Sequence, residues 1–130
     1  MNAIDQYKNV DLSASVQTAS PHQLISMLLR GALESLAKAR GAIQRNQFDL
    51  RSKQINKALS IVMELQECLD TEKGGELASN LQALYAYITK RLVEANRENS
   101  EAILEEITGL LAEVLEGWAG IPPEYHKQID

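Results

Sequence analysis

The chain has 130 residues, which is enough for one domain that buries its core without disulfides or a metal. Its net charge is −5, and its 13 lysines and arginines are scattered rather than clustered, which argues against nucleic acid or an anionic membrane surface as the main partner. Aromatic residues are scarce, and three prolines and seven glycines leave long stretches free of helix breakers, so we expect an all-α fold with an aliphatic core.

The first 19 residues have a mixed character. Four apolar residues recur about every three positions in a polar background: Ile4, Tyr7, Val10 and Leu12. Such a segment forms helical turns only if it docks on something else, so we expect residues 1–19 to be short and either mobile or helical. The start has no apolar targeting segment, no stretch reaches the roughly 18 apolar residues that span a bilayer, and Cys68 is the single cysteine. We therefore expect a soluble, cytoplasmic protein.

The first predicted helix begins with a strong local signal. Ser20, Pro21 and Gln23 form a capping box, with serine at the N-cap, proline at the first helical position and glutamine at the third. This pattern predicts a helix from Pro21 to about Arg45. The polar residues 44–49 are expected to form the turn that follows.

Three further helices follow, each with an apolar stripe at three- and four-residue spacing. Their expected limits are about Leu50–Leu69 for the second, with Gly74-Gly75 as its stop, about Glu76–Asn96 for the third, and Asn99 or Ser100 to Gly120 for the fourth. The third stripe includes Leu77, Leu81, Leu84, Ile88, Leu92 and Ala95, and the fourth includes Ile103, Ile107, Leu110, Leu111, Val114 and Trp118. Short turns between long helices favour antiparallel neighbours, which predicts an up-down-up-down four-helix bundle over residues 20–119 and a polar tail over residues 120–130.

Several helices carry more apolar surface than a bundle core requires. An arc of a little over 100° suffices, whereas the apolar arc of the first helix widens to roughly 200°. The surplus positions are Ile25, Leu29, Leu33, Tyr85, Leu104, Leu111 and Leu115. Two interpretations stay open: these residues close corners of an uneven core or pack under residues 1–19, or they line a groove for an amphipathic partner segment.

The residue patterns of catalytic and metal sites are missing from the sequence. A di-iron bundle needs inward-facing Glu-x-x-His pairs, and neither His22 nor His126 has a glutamate three residues before it. The ligands of a zinc site are also lacking. Gly74-Gly75 is followed by Glu76 rather than by the Lys-Ser/Thr of a phosphate loop. We therefore expect no enzyme activity and no cofactor.

An ordered set of short motifs resembles a known family. The set includes Ala19-Ser20-Pro21-His22-Gln23-Leu24-Ile25, Gly31-Ala32-Leu33, Glu72-Lys73-Gly74-Gly75-Glu76, Leu84-Tyr85-x-Tyr87 and Arg91-Leu92-x-x-Ala95-Asn96, with Trp118 closing the last helix. With this order and spacing, residues 1–118 resemble the flagellin-specific export chaperone family, FliS. The resemblance implies a cytoplasmic bundle that uses neither ATP nor metal. It would bind the disordered C-terminal segment of newly made flagellin, prevent premature polymerisation and help deliver flagellin to the flagellar type III export gate.

The resemblance also bears on individual residues. It implies that the N-terminal segment with Ile4 and Tyr7 sits over the bundle, moves when flagellin binds and contributes to docking at the gate. Leu29-Arg30 stands where the family usually has an aromatic residue followed by an acidic one, so the fine specificity for flagellin stays open. The alternative to a chaperone is a structural or adaptor bundle that uses its surplus apolar face to form a homodimer.

Overall fold

The computed structural model describes residues 20–118, which fold into four long α-helices. These are α1 Pro21–Gln44, α2 Phe48–Glu67, α3 Thr71–Glu98 and α4 Glu101–Trp118. The prediction of an all-α, four-helix arrangement is confirmed. The predicted N-terminal segment (residues 1–19) and polar tail (residues 120–130) lie outside the described residues.

Each helix packs against two others. Helices α1 and α3 both contact α2 and α4, so the four helices stand side by side in chain order around one core. The neighbours are antiparallel, because contacts join opposite ends of the helices. Trp118 at the end of α4 donates from its indole Nε1 to the carbonyl oxygen of His22 at the start of α1. Ser52 near the start of α2 bonds Asn96 near the end of α3.

Helix α1 begins where the capping box predicts. The Ser20 hydroxyl accepts the backbone N–H of Gln23 at 3.1 Å, and the Gln23 side chain accepts the backbone N–H of Ser20 at 2.8 Å. These two bonds satisfy donors that a helix start otherwise leaves unpaired, and Pro21 removes a third. The local sequence alone is therefore enough to fix this boundary.

The boundary between α2 and α3 differs from the prediction. Helix α2 begins and ends two residues earlier than expected, and Gly74-Gly75 lies inside α3 rather than after α2. Asp70 caps α3, because its Oδ1 accepts the backbone N–H groups of Glu72 and Lys73 at 3.1 Å each. Gly75 has φ 54° and kinks α3 after its first turn, in a region of backbone space that favours glycine. The capping aspartate thus starts a helix ahead of the glycines that were expected to separate two helices.

The core is built from aliphatic side chains, with two aromatic ones. Its largest fully buried members are Ile25, Leu29, Leu36, Ile55, Leu65, Ile88, Leu92, Leu104, Ile107 and Leu111, together with Tyr85 and Trp118. Burying one such aliphatic side chain stabilises a fold by about 1.5–3 kcal/mol, so this set supplies most of the driving force for the bundle. None of the four helices between residues 20 and 118 is long and apolar enough to cross a membrane.

Candidate functional site

Most of the residues expected to line a partner groove lie in the core instead. Five are 0% exposed: Ile25, Leu29, Tyr85, Leu104 and Leu111. In this conformation a partner cannot contact them, and the wide apolar arc of α1 is explained by its packing against both α2 and α4. Leu33 and Leu115 are half-buried at the edge of the core. Ile4 and Tyr7 lie outside the described residues, and the partner-binding role of all nine stays a prediction.

The two residues that depart from the family pattern lie in different environments. Leu29 is fully buried, whereas Arg30 is exposed to solvent. The exchange of an aromatic residue for leucine therefore concerns core packing, and the exchange of an acidic residue for arginine concerns the charge of the surface.

Four half-buried residues from the predicted stripes of α3 and α4 pack against the edge of the core: Leu81, Leu84, Leu110 and Val114. We call these four residues the α3–α4 stripe. Tyr87 of α3 bonds Glu106 of α4 across the seam between the two helices. Leu84 lies one helical turn before Tyr87 on α3, and Leu110 lies one turn after Glu106 on α4. Both leucines therefore lie along the same seam, one turn farther from the α3–α4 turn than the Tyr87–Glu106 bond. The stripe thus covers the half of the seam near the start of α3 and the end of α4.

All four residues of the stripe keep part of their surface exposed to solvent. A Cβ added at Gly109 or Gly117 of α4 would meet no neighbouring atom of the described residues within 4 Å, so both glycines border free space. Half-buried leucines beside such space form an apolar surface of the kind that takes up an amphipathic helix.

A polar network closes the other half of the same seam. The Tyr87 hydroxyl donates to Glu106 Oε2 at 2.6 Å, and Arg91 Nε donates to Glu106 Oε1 at 3.0 Å. Arg91 also bonds Glu94 at 2.7 Å. The two bonds to Glu106 favour its charged form, so they lower the pKa of the Glu106 carboxyl below its ordinary value. The bond from Tyr87 has the larger effect on this pKa, and the bond from Arg91 the smaller.

We expect Tyr87→Phe to raise the pKa of Glu106 toward the ordinary glutamate value, because the phenol bond is the largest cause of its depression. The side-chain carboxyl 13C shift of Glu106, followed against pH, measures it. A carboxyl whose pKa is depressed in the folded state stabilises that state above its unfolded pKa, and this contribution is lost as the pH falls through the folded pKa. The variant should therefore lose less stability on acidification than the parent chain. Val93→Ala changes an exposed residue of α3 and is the control, which should leave the pKa of Glu106 unchanged. An unchanged pKa of Glu106 in Tyr87→Phe would contradict the claim that the Tyr87 bond lowers it.

The start of α1 and the end of α4 are joined by a reciprocal contact that the sequence did not reveal. The His22 and Trp118 rings stack with centroids 4.5 Å apart and planes 11° from parallel. Trp118 Nε1 donates to the His22 carbonyl oxygen at 2.9 Å, and His22 Nε2 donates to the Trp118 carbonyl oxygen at 3.0 Å. We call this pair the His22–Trp118 clasp. It fixes the corner of the bundle from which residues 1–19 and residues 119–130 continue.

No catalytic arrangement emerges from the part of the chain that the structure describes. Among residues 20–118, no three His, Cys, Asp or Glu side chains converge as a metal site requires. A shallow cavity of about 510 Å³ at the α1–α2 turn is lined by residues 46–50, with Asp49 as its one ionisable side chain. Burial raises the pKa of the Tyr85 hydroxyl, so Tyr85 stays protonated. The surfaces between helices, and the α3–α4 stripe above all, are therefore the candidate functional sites.

Comparison with known proteins gives a consistent result over nearly the whole chain. A family model described as flagellar protein FliS matches residues 3–125. The flagellar secretion chaperone FliSB of Pseudomonas aeruginosa is 50% identical over 121 residues, which cover 93% of this chain and 96% of the relative. The flagellar secretion chaperones FliS of Salmonella typhimurium and Vibrio cholerae are 40% and 34% identical, over 95% and 96% of this chain and 92% of each relative.

Proposed function

We propose, from the premise that this chain belongs to the flagellar protein FliS family, that it binds the C-terminal segment of flagellin in the cytoplasm. Covering that segment would prevent flagellin from polymerising before export and would assist its delivery to the flagellar type III export gate. The observation that supports the proposal is the α3–α4 stripe, a row of half-buried apolar side chains along the seam between two helices.

The shape of the stripe suits a segment that becomes helical on binding. Leu81 and Leu84 are three residues apart and Leu110 and Val114 four apart, so they form two short rows along the groove. An amphipathic helix places its own apolar residues at the same intervals and can lay them between such rows. A disordered segment loses conformational entropy when it orders, which keeps its affinity moderate for the area it buries and allows later release.

Leu33 and Leu115 extend the candidate surface around α4. Leu115 follows Val114 directly, and both are half-buried at the edge of the core. Arg40 of α1 pairs with Glu105 of α4 at 3.1 Å, which places the flank of α1 that carries Leu33 next to α4. A segment that wraps α4 would contact the α3–α4 stripe on one side and these two leucines on the other.

Titration calorimetry with a peptide of the flagellin C-terminal segment tests the proposal. We expect one peptide to bind per chain without nucleotide, and the peptide to gain helicity in circular dichroism. A titration that shows no heat, together with an unchanged NMR spectrum of the peptide, would exclude the proposed function.

Docking at the export gate is assigned to the N-terminal segment with Ile4 and Tyr7, on the strength of the family resemblance. We expect Tyr7→Ala to retain the affinity for the flagellin peptide and the melting temperature of the parent chain but to impair flagellin export. A large fall in melting temperature with export intact would instead give Tyr7 a packing role.

A further inference from the structure

The two halves of the bundle differ in charge. When each helix is divided at its middle, the half with the His22–Trp118 clasp comprises residues 20–32, 58–84 and 110–118. We call it the acidic half, because carboxylates far outnumber lysines and arginines in it. The carboxylates are Glu64, Glu67, Asp70, Glu72, Glu76, Glu113 and Glu116, and the cations are Arg30 and Lys73. Among residues 20–118 the ion pairs lie in the other half, and none of these carboxylates takes part in one.

Two rows of residues at three- and four-residue spacing form the outer edges of the seam that holds the α3–α4 stripe. The α3 row is Tyr87, Leu84, Asn80 and Glu76, and the α4 row is Glu106, Leu110, Glu113 and Gly117. The Tyr87–Glu106 bond sets the register between the two antiparallel rows. In this register Glu76 and Glu113 are exposed on opposite sides of the stripe, about one helical turn apart along it. We call these two residues the rim carboxylates.

The cations near this seam do not neutralise the rim carboxylates. Arg91 lies at the far end of the seam, where its guanidinium pairs with both Glu94 and Glu106. Lys73 lies in the first turn of α3, before the kink at Gly75, and follows Glu72 directly. Each rim carboxylate is therefore without an ion pair among residues 20–118, beside an apolar surface that the proposed function assigns to a partner.

We propose that the helix bound by the α3–α4 stripe carries lysine or arginine residues beside its apolar row, and that Glu76 and Glu113 select it through them. This inference rests on the proposed function, because it concerns the same site, and it adds the charge of the partner segment. A helix lying along the seam has one flank over each row, so a cation on either flank meets a rim carboxylate. A helix with acidic flanks would instead place like charges together, which disfavours it.

The rim carboxylates contribute more to the choice of partner than to its affinity. An exposed ion pair changes a binding constant by up to about fivefold, so the half-buried leucines must supply most of the binding energy. The surplus negative charge of the acidic half also attracts a cationic segment from a distance and raises its association rate. Both effects weaken as salt screens the charges.

Calorimetric titration with the flagellin C-terminal peptide, at about 50 and about 500 mM NaCl, tests the proposal. The higher salt should weaken binding to the parent chain about fivefold. Glu76→Gln with Glu113→Gln should weaken binding about fivefold at the lower salt and lose most of the salt dependence, whereas lysines at both positions should make salt strengthen binding. Glu64→Gln with Glu67→Gln is the matched control, because it removes the same net charge from exposed positions of α2, and it should bind about as tightly as the parent chain.

The outcomes separate this inference from the proposed function. A peptide that binds with the same affinity at both salt concentrations and to the rim variants overturns the inference and leaves the proposed function standing, whereas a peptide that does not bind overturns both. A control pair that weakens binding as much as the rim pair also overturns it, because net charge would then select the partner. Circular dichroism must show unchanged helicity in every variant, and the glutamine pair decides if the lysine pair unfolds.

Discussion

Replacing Trp118 by alanine is expected to lower the free energy of unfolding by about 3–5 kcal/mol, the range for a large aromatic side chain truncated in a core. Trp118 is 1% exposed and is one of the two aromatic members of the core. The variant would also lose the stack on His22 and the indole bond to the His22 carbonyl oxygen. Since small domains are stable by only about 5–15 kcal/mol in all, this change would remove a large part of the total.

Urea unfolding followed by circular dichroism measures this loss, because Trp118 is the chain's single tryptophan and its fluorescence disappears in the variant. Trp118→Phe keeps an apolar ring in the site but removes the Nε1 donor, and we expect it to lose clearly less stability than the alanine variant. Val93→Ala is the surface control and should stay within about 0.5 kcal/mol of the parent chain. If Trp118→Ala costs no more than Val93→Ala, the His22–Trp118 clasp does not hold the bundle together.

The sequence was sufficient for those parts of the fold that depend on neighbouring residues. The start of α1 follows from Ser20, Pro21 and Gln23, whose bonds form within one helical turn. The number of helices follows from the apolar stripes. The start of α3 was misplaced because two local signals competed there. Asp70 caps α3, whereas Gly74-Gly75 reads as a stop, and the sequence pattern does not rank one above the other.

The rotation of each helix about its axis could not be predicted in the same way. Apolar residues on α3 cover a broad arc, and the sequence does not say which part of it faces the core. The structure turns Tyr85 fully inward and leaves Leu81 and Leu84 at the edge. Tyr85 was a candidate for the partner groove because it widens the apolar arc of α3, yet its hydroxyl is buried without a hydrogen-bond partner among residues 20–118. Rotation is set by packing between helices, which is a property of the whole bundle.

The same reasoning explains why the predicted groove and the observed open surface differ. The surplus apolar residues of α1 serve contacts with two neighbouring helices, and Leu29 is an example. The half-buried stripe lies instead along the seam between α3 and α4, and its residues repeat at the same spacing as the fully buried core residues.

Leu84→Glu combined with Leu110→Glu is expected to weaken binding of the flagellin peptide by at least about 100-fold, which corresponds to about 2.7 kcal/mol. Both side chains lie on the α3–α4 stripe, so the change removes two apolar contacts and places two charges where the proposed function needs an apolar surface. The titration used for the parent chain measures the loss. Because both residues are half-buried, helicity must first be shown to be unchanged, and Leu84→Ser with Leu110→Ser serves if the glutamates unfold the chain.

Val93→Glu is the control for this experiment, because it places a glutamate on the opposite side of α3 from Leu84. We expect it to leave peptide binding intact. If the double variant binds the peptide as tightly as the parent chain, flagellin does not use the α3–α4 stripe. The half-buried Leu33 and Leu115 beside α1 would then be the next positions to change.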